Sequence, residues 1–144
     1  MAFSEPEQDV EVLGPDSGGA LSFTAGSGGV IAGQVVTMSG DNEVVAASTD
    51  GDEPVGVATQ TVDAGAQVQV AGPGSRVRYT AADGDASEGD LVHAGAAGED
   101  GEVTVLDAST DDLHYVGQVY EGASAQGDLL LGIVSVGRIA DNTA

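Results

Sequence analysis

The stretch Gln67-Val68-Gln69-Val70-Ala71 alternates polar and apolar residues with a period of two. Successive side chains of an extended strand point to opposite faces. The run therefore lays Gln67 and Gln69 on a wet face and Val68 and Val70 on a buried one. It is bounded by turn sequences, Asp63-Ala64-Gly65-Ala66 before it and Gly72-Pro73-Gly74 after it. Working outward in both directions, the same pattern recurs, and helical periodicity is almost absent. Strands are predicted at Val10–Leu13, Ala20–Thr24, Gln34–Met38, Val44–Ala47, Val55–Gln60, Ser75–Thr80, Asp90–His93, Val103–Leu106, His114–Tyr120 and Leu129–Val136, besides Gln67–Ala71. Short strands at this spacing specify an all-β fold, a barrel or sandwich, taken here as a small β-barrel or β-clip-like domain. The run Leu129-Leu130-Leu131-Gly132-Ile133-Val134 is apolar on both faces, so it is expected at the centre of a sheet or in a subunit interface.

The sequence also repeats itself. Ala32-Gly33-Gln34-Val35-Val36 parallels Glu88-Gly89-Asp90-Leu91-Val92, and Val55-Gly56-Val57-Ala58 parallels Val116-Gly117-Gln118-Val119. Ala64-Gly65-Ala66-Gln67-Val68 parallels Ala125-Gln126-Gly127-Asp128-Leu129. The expectation is a duplicated β-unit whose two copies close one barrel. Gly33, Gly65, Gly89 and Gly127 are placed at tight turns needing positive φ, and Gly56 and Gly117 at mid-strand points of close backbone approach. The first 18 residues differ: Ser4-Glu5-Pro6-Glu7-Gln8-Asp9 is polar, and Pro15-Asp16-Ser17-Gly18-Gly19 is a flexible joint. They read as an extended N-terminal arm, residues 1–18, ahead of a single barrel domain, residues 19–144.

Charge bounds the function more tightly than any motif. The chain has 24 Asp plus Glu against three basic residues, Arg76, Arg78 and Arg138, for a net charge of −21. Acidic residues are dispersed along the chain, and a surface of that kind repels itself at ordinary salt. At molar salt the Debye length falls to about 3 Å and the repulsion is screened, which points to a halophilic host. Phosphate backbones need a basic footprint, so nucleic acid is excluded as a partner. No apolar run approaches the ~20 residues of a membrane span, and the N-terminus lacks the pattern of an export signal. The expectation is a soluble protein made in the host cytoplasm. Aromatics are 3 % of the chain and there is no Trp. A core of Ala and Val buries little area per residue, so oligomerisation or docking on a larger surface is expected to stabilise it.

Residues that carry chemistry are sparse. There is no Cys, hence no thiolate site, and no Lys, hence no Schiff base and no phosphate-binding loop. His93 and His114 lack metal-ligand spacing, and Gly26-Ser27-Gly28-Gly29 has no βαβ unit around it. Asp50-Gly51-Asp52-Glu53 and Asp83-Gly84-Asp85 do not continue into a calcium loop. The chain reads as no enzyme, with no cofactor and no metal. Arg76 and Arg78, two apart on one strand, share a face. They point either to an ion-pairing contact with an acidic neighbour or to neutralisation of an adjacent acidic strand. The candidate interface residues are Val10 and Val12 of the arm, Arg76 and Arg78, and Leu129, Leu131 and Ile133.

The order of Leu21-Ser22-Phe23-Thr24-Ala25, Gly29-Val30-Ile31-Ala32-Gly33-Gln34-Val35-Val36, Pro54-Val55-Gly56-Val57-Ala58, Asp63-Ala64-Gly65-Ala66-Gln67-Val68, Glu88-Gly89-Asp90-Leu91-Val92 and Tyr115-Val116-Gly117 resembles the capsid decoration (head cement) proteins of tailed phages. The resemblance covers about residues 20–136. The chain departs from that pattern in its acidity and in the Gly72-Pro73-Gly74 insertion. The resemblance implies a homotrimer on the capsid exterior of a virion, partnered with the major capsid protein. With this acidity, it implies a tailed virus of a halophilic archaeon. The alternatives are another virion component (turret, tail or minor capsid protein) or a surface-binding β-module.

Overall fold

Ten strands follow one another along the chain, and no helix separates them among the described residues. The computed structural model describes residues 21–48, 52–94, 100–106 and 113–139. The predicted arm, its strand at Val10–Leu13 and the candidate residues Val10 and Val12 lie outside them.

The first unit comprises β1 (Leu21–Ala25), β2 (Val35–Gly40), β3 (Glu43–Ala46), β4 (Pro54–Ala58) and β5 (Gln67–Ala71). It closes into a barrel in the order β1-β3-β2-β4-β5, with β5 returning antiparallel to β1 and β1 running parallel to β3. The second unit comprises β6 (Arg76–Thr80), β7 (Leu91–Ala94), β8 (Val103–Val105), β9 (Leu113–Glu121) and β10 (Leu129–Ile139). Its sheet order is β6-β10-β9-β7-β8. An isolated parallel bridge joins Ala81, just past β6, to Val103 of β8. With that bridge the neighbours of β6 to β10 reproduce those of β1 to β5, strand for strand and direction for direction.

The duplication therefore holds in three dimensions, down to single hydrogen bonds. The Gly33 amide donates to the Ala58 carbonyl at 2.8 Å, as Gly89 does to Val119 at 2.7 Å. The Gly65 amide donates to Ala25 and the Gly127 amide to Ala81, both at 2.8 Å. Val36 is in register with Gly56, and Val92 with Gly117. The Gly33 and Gly89 turns hold φ near +90°, a conformation that a side chain would strain. Three sequence expectations need correction. Each unit builds its own sheet around its own interior, so the two copies do not close one barrel. Gly65 corresponds to Gly127, so Ala64–Val68 matches Gln126–Leu130, one residue further along than the sequence parallel placed it. Gly72-Pro73-Gly74 is no insertion within a unit but the joint between units, tied back by the Gly74 amide to the Val134 carbonyl at 2.8 Å.

Two apolar clusters follow. One fills the first barrel with Ala25, Val30, Val36, Val44, Ala58, Val68 and Val70. The other fills the second sheet around Tyr79, Val92, Val116, Leu130 and Val134, and runs onto Val35, Val57 and Ala71 of the first unit. Alternation explains the link. On β2 and β4 the residues Val36 and Ala58 point into the first barrel while their neighbours Val35 and Val57 point out of it, against the second. The shared turn places Phe23 at the position that Tyr79 holds in the second unit. Phe23 is half-buried, whereas Tyr79 is wholly buried.

Candidate interaction surface

β10 is the second strand of its sheet, paired with β6 on one side and β9 on the other. Its alternation decides which residues are available. Leu130 and Val134 point inward and are buried. Leu129, Leu131 and Ile133 point the other way; Leu129 is 56 % exposed and the other two are half-buried. The two-sided apolar run thus takes the inner position in the sheet that the sequence assigned it, and its outer side is only partly covered by the rest of the described chain.

β6 brings the arginines to the same face. Val77 and Tyr79 point into the interior, so Arg76 and Arg78 point out. The register sets Arg78 opposite Leu131 and Arg76 opposite Ile133, with Thr80 opposite Leu129. Across β10, Ile133 faces Gln118 of β9, which in turn faces Leu91 of β7. The Arg76 guanidinium stands 6.0 Å from the centre of the Tyr120 ring, which is itself 44 % exposed. Cation–π attraction at that range is weak, on the order of 0.5–1 kcal/mol at an exposed site. Five of the seven candidate interface residues are brought together here. Both arginines have aliphatic cross-strand partners on β10, and no carboxylate among the described residues pairs with either; an acid on the same face is Glu121 of β9, in register with Leu131.

The duplicated unit serves as an internal comparison. The turn equivalence places Ser22 where Arg78 stands, and Gln67 and Gln69 where Leu129 and Leu131 stand. In the first unit this face is polar and self-satisfied, with the Ser22 hydroxyl donating to the Gln67 side-chain oxygen. The fold itself does not demand aliphatic and cationic residues there. At the rim of the face a cleft of about 260 Å³ opens between Gly33, Val57 and Ala58 of the first unit and Arg76, Arg78 and Leu129 of the second. Leu91, Gln118, Tyr120 and Glu121, the last in register with Leu131, belong to this surface but were not among the sequence candidates. Alternation along His114–Tyr120 would have given the outward direction of Gln118 and Tyr120, but not which strand they lie beside.

The acidic loops serve the fold. Asp83 accepts from the Asp85 amide at 3.0 Å and from the Thr104 hydroxyl at 2.7 Å, which tethers its loop to β8. Asp52 accepts from the Ser48 amide at 3.0 Å. His93 is buried on β7, and His114 on β9 lies opposite Arg138. Among the described residues no group of three or more His, Asp or Glu side chains is arranged to hold a metal ion. Burial pushes the Tyr79 hydroxyl well above its ordinary range.

No protein-family profile matches this chain, and no curated protein does. Among solved structures it is similar to the N base of the head fibre gp8.5 of bacteriophage phi29. The TM-score is 0.60 and the identity 27 %, over 81 % of this chain and 92 % of that one.

Proposed function

We propose that this chain is a structural protein of a virus particle, decorating the outer surface of an icosahedral head and stabilising it. The observation that carries the reading is the likeness, in fold and in 27 % of aligned residues, to the base of a phage head fibre. Further support comes from the residues themselves. An Ala- and Val-rich core with one wholly buried Phe or Tyr among the described residues gives limited stability to an isolated copy. A partly exposed face of Leu129, Leu131, Ile133 and two arginines suits a protein whose work is to hold neighbours together. In the proposed setting the chain acts as a homotrimer and its partner on the particle is the major capsid protein. It performs no catalysis, and its acidity keeps it from nucleic acid. The charge of −21 without a single Lys fits a halophilic host.

A second reading within the same class draws on the same likeness. The solved relative is the base of a fibre, so the chain could seat a projecting structure on the head in place of lying flat as cement. Gold-labelled antibody against the folded protein, applied to intact particles, tests both. Label spread evenly over heads supports decoration; label only beneath projections supports a fibre base. Label confined to tails, or no label on intact particles, overturns the proposal.

A further inference from the structure

We propose that the free edge of β6, with the cleft beside it, is a strand-binding groove. Its occupant is this chain's own segment Glu7-Gln8-Asp9-Val10-Glu11-Val12-Leu13, added as a further strand beside Arg76 and Arg78. The segment itself lies outside the described residues.

The groove comes from the backbone. β6 ends its sheet, with β10 on one side and no strand along Arg76–Tyr79 on the other. Main-chain groups of successive residues point to opposite sides of a strand. The Ala81 amide donates to Asp128 and the Ser75 carbonyl accepts from Val134, both towards β10. The N–H and C=O groups of Arg76, Arg78 and Thr80 therefore point away from it. The Thr80 amide donates to the Gly33 carbonyl at 3.3 Å. The main-chain groups of Arg76 and Arg78 have no partner among the described residues. Both residues line the cleft of about 260 Å³ whose other wall is Gly33, Val57 and Ala58. An unpaired edge beside an apolar wall takes an extended chain, held by backbone hydrogen bonds and selected by its alternate side chains.

The side chains name the occupant. Arg76 and Arg78 stand two apart on the outer face. The added strand therefore needs acids at every second residue on that face, and apolar residues on the face turned to Val57 and Ala58. Glu7, Asp9 and Glu11 against Val10 and Val12 have that pattern. Glu121, the acid already on the outer face, is in register with Leu131 and so lies across β10 from this edge. In the first unit Ser22 holds the position of Arg78, so the matching edge of β1 offers no cation there.

The tether fits as well. Leu21 pairs with Val70, and Val70 with Ala58 of the cleft wall. The chain thus enters the body two strands, about 10 Å, from the groove. Residues 14–20 span up to about 24 Å when extended. A flexible tether of that length holds the segment at an effective concentration in the millimolar range, against which a separate acidic peptide competes poorly. Few main-chain bonds are made, so the strand exchanges readily and adds little to the melting temperature of the body. It stays available to the edge of a neighbouring protein.

The test needs no virus particle, so its outcome is independent of the function proposed above. The chain has no cysteine, so Ser4→Cys takes a single nitroxide spin label just ahead of the segment. Amide signals and amide hydrogen exchange of the isotope-enriched full chain are recorded in molar salt. The expected result is broadening at Gly33, Ala58, Arg76 and Arg78 several-fold greater than at Val45 of β3. Neutralising the segment with Glu7→Gln, Asp9→Asn and Glu11→Gln should remove that difference and speed exchange of the Arg76 and Arg78 amides several-fold. These substitutions do not touch the ten-strand body, whose other signals should stay in place. Three results overturn the inference. One is broadening no greater at the groove than at Val45. Another is broadening and exchange that ignore the neutralised acids. The third is broadening passed from a spin-labelled copy to a separate isotope-enriched copy, since the segment would then occupy another molecule.

Discussion

The hydroxyl of Tyr79 lies directly over Gly117, donating between the Val116 carbonyl at 3.1 Å and the Ile133 carbonyl at 2.9 Å. A Cβ on Gly117 would occupy the same space as that oxygen. The one wholly buried aromatic ring of the second unit thus stands in a slot that exists because β9 carries glycine there.

Gly117→Ala is accordingly expected to destabilise the fold by about 1–3 kcal/mol through overpacking. Gly127→Ala, with a φ of +87° but no atom within 4 Å of the added methyl, should cost only its backbone strain of about 1 kcal/mol. Denaturant unfolding in molar salt gives both numbers. Adding Tyr79→Phe should restore part of the Gly117→Ala loss and little of the Gly127→Ala loss, since only the first pair is in contact.

Tyr79 also makes stability depend on alkaline pH. An unfolded tyrosine ionises near pH 10. Burial holds the folded one protonated well beyond that. Above about pH 10 the folded state therefore binds more protons than the unfolded state, so stability falls as pH rises. Below pH 10 the group contributes no slope. Unfolding midpoints measured from pH 8 to 11 should drop over the upper part of that range, and Tyr79→Phe should flatten the drop. At neutral pH the same substitution should cost about 0.5–1.5 kcal/mol for the lost hydrogen bond.

How much of this was legible in the sequence differs by level. All ten strands could be read because β-branched residues alternate and turns carry Gly, Asp, Ser or Asn, as between Met38 and Val44 or around Asp83-Gly84-Asp85. The duplication could be read at Gly33 and Gly89, where a positive φ needs glycine. It slipped by one residue at Gln126-Gly127 because composition alone does not say which residue of a turn takes that φ. The closure of the first unit on itself was hidden, since parallel pairing of β1 with β3 joins segments with no local signal. For the surface, the common direction of Arg76 and Arg78 followed from their spacing. Their apposition to Leu131 and Ile133 did not follow, because β6 and β10 lie far apart in the chain and no turn between them sets their register.

Salt should stabilise the protein. Raising ionic strength from about 0.1 M to 1 M shortens the Debye length from about 10 Å to about 3 Å, which screens repulsion among 24 acidic side chains. The melting midpoint should rise steadily over that range, with sulfate raising it further than chloride by strengthening apolar burial. An unchanged midpoint would show that the acidic surface is no adaptation to brine.

The N-terminal segment, residues 1–18, offers a separate test. Its alternation of Glu5, Glu7, Asp9 and Glu11 with Val10 and Val12 suits addition to a sheet edge of a neighbouring protein. Deleting it should leave the melting curve of the ten-strand body nearly unchanged and reduce occupancy on heads, because an added grip multiplies the contacts already made. Full occupancy after deletion would show that the segment is no anchor.

The claim that the chain is a structural part of a virus head is tested most directly by its copy number in purified particles of the virus that encodes it. Quantitative mass spectrometry of gradient-purified, intact particles gives the ratio of this chain to the major capsid protein. The account predicts a fixed ratio, the same in every preparation and unchanged by washing at molar salt. A ratio that varies between preparations, or falls towards zero on washing while the heads stay intact, would contradict it.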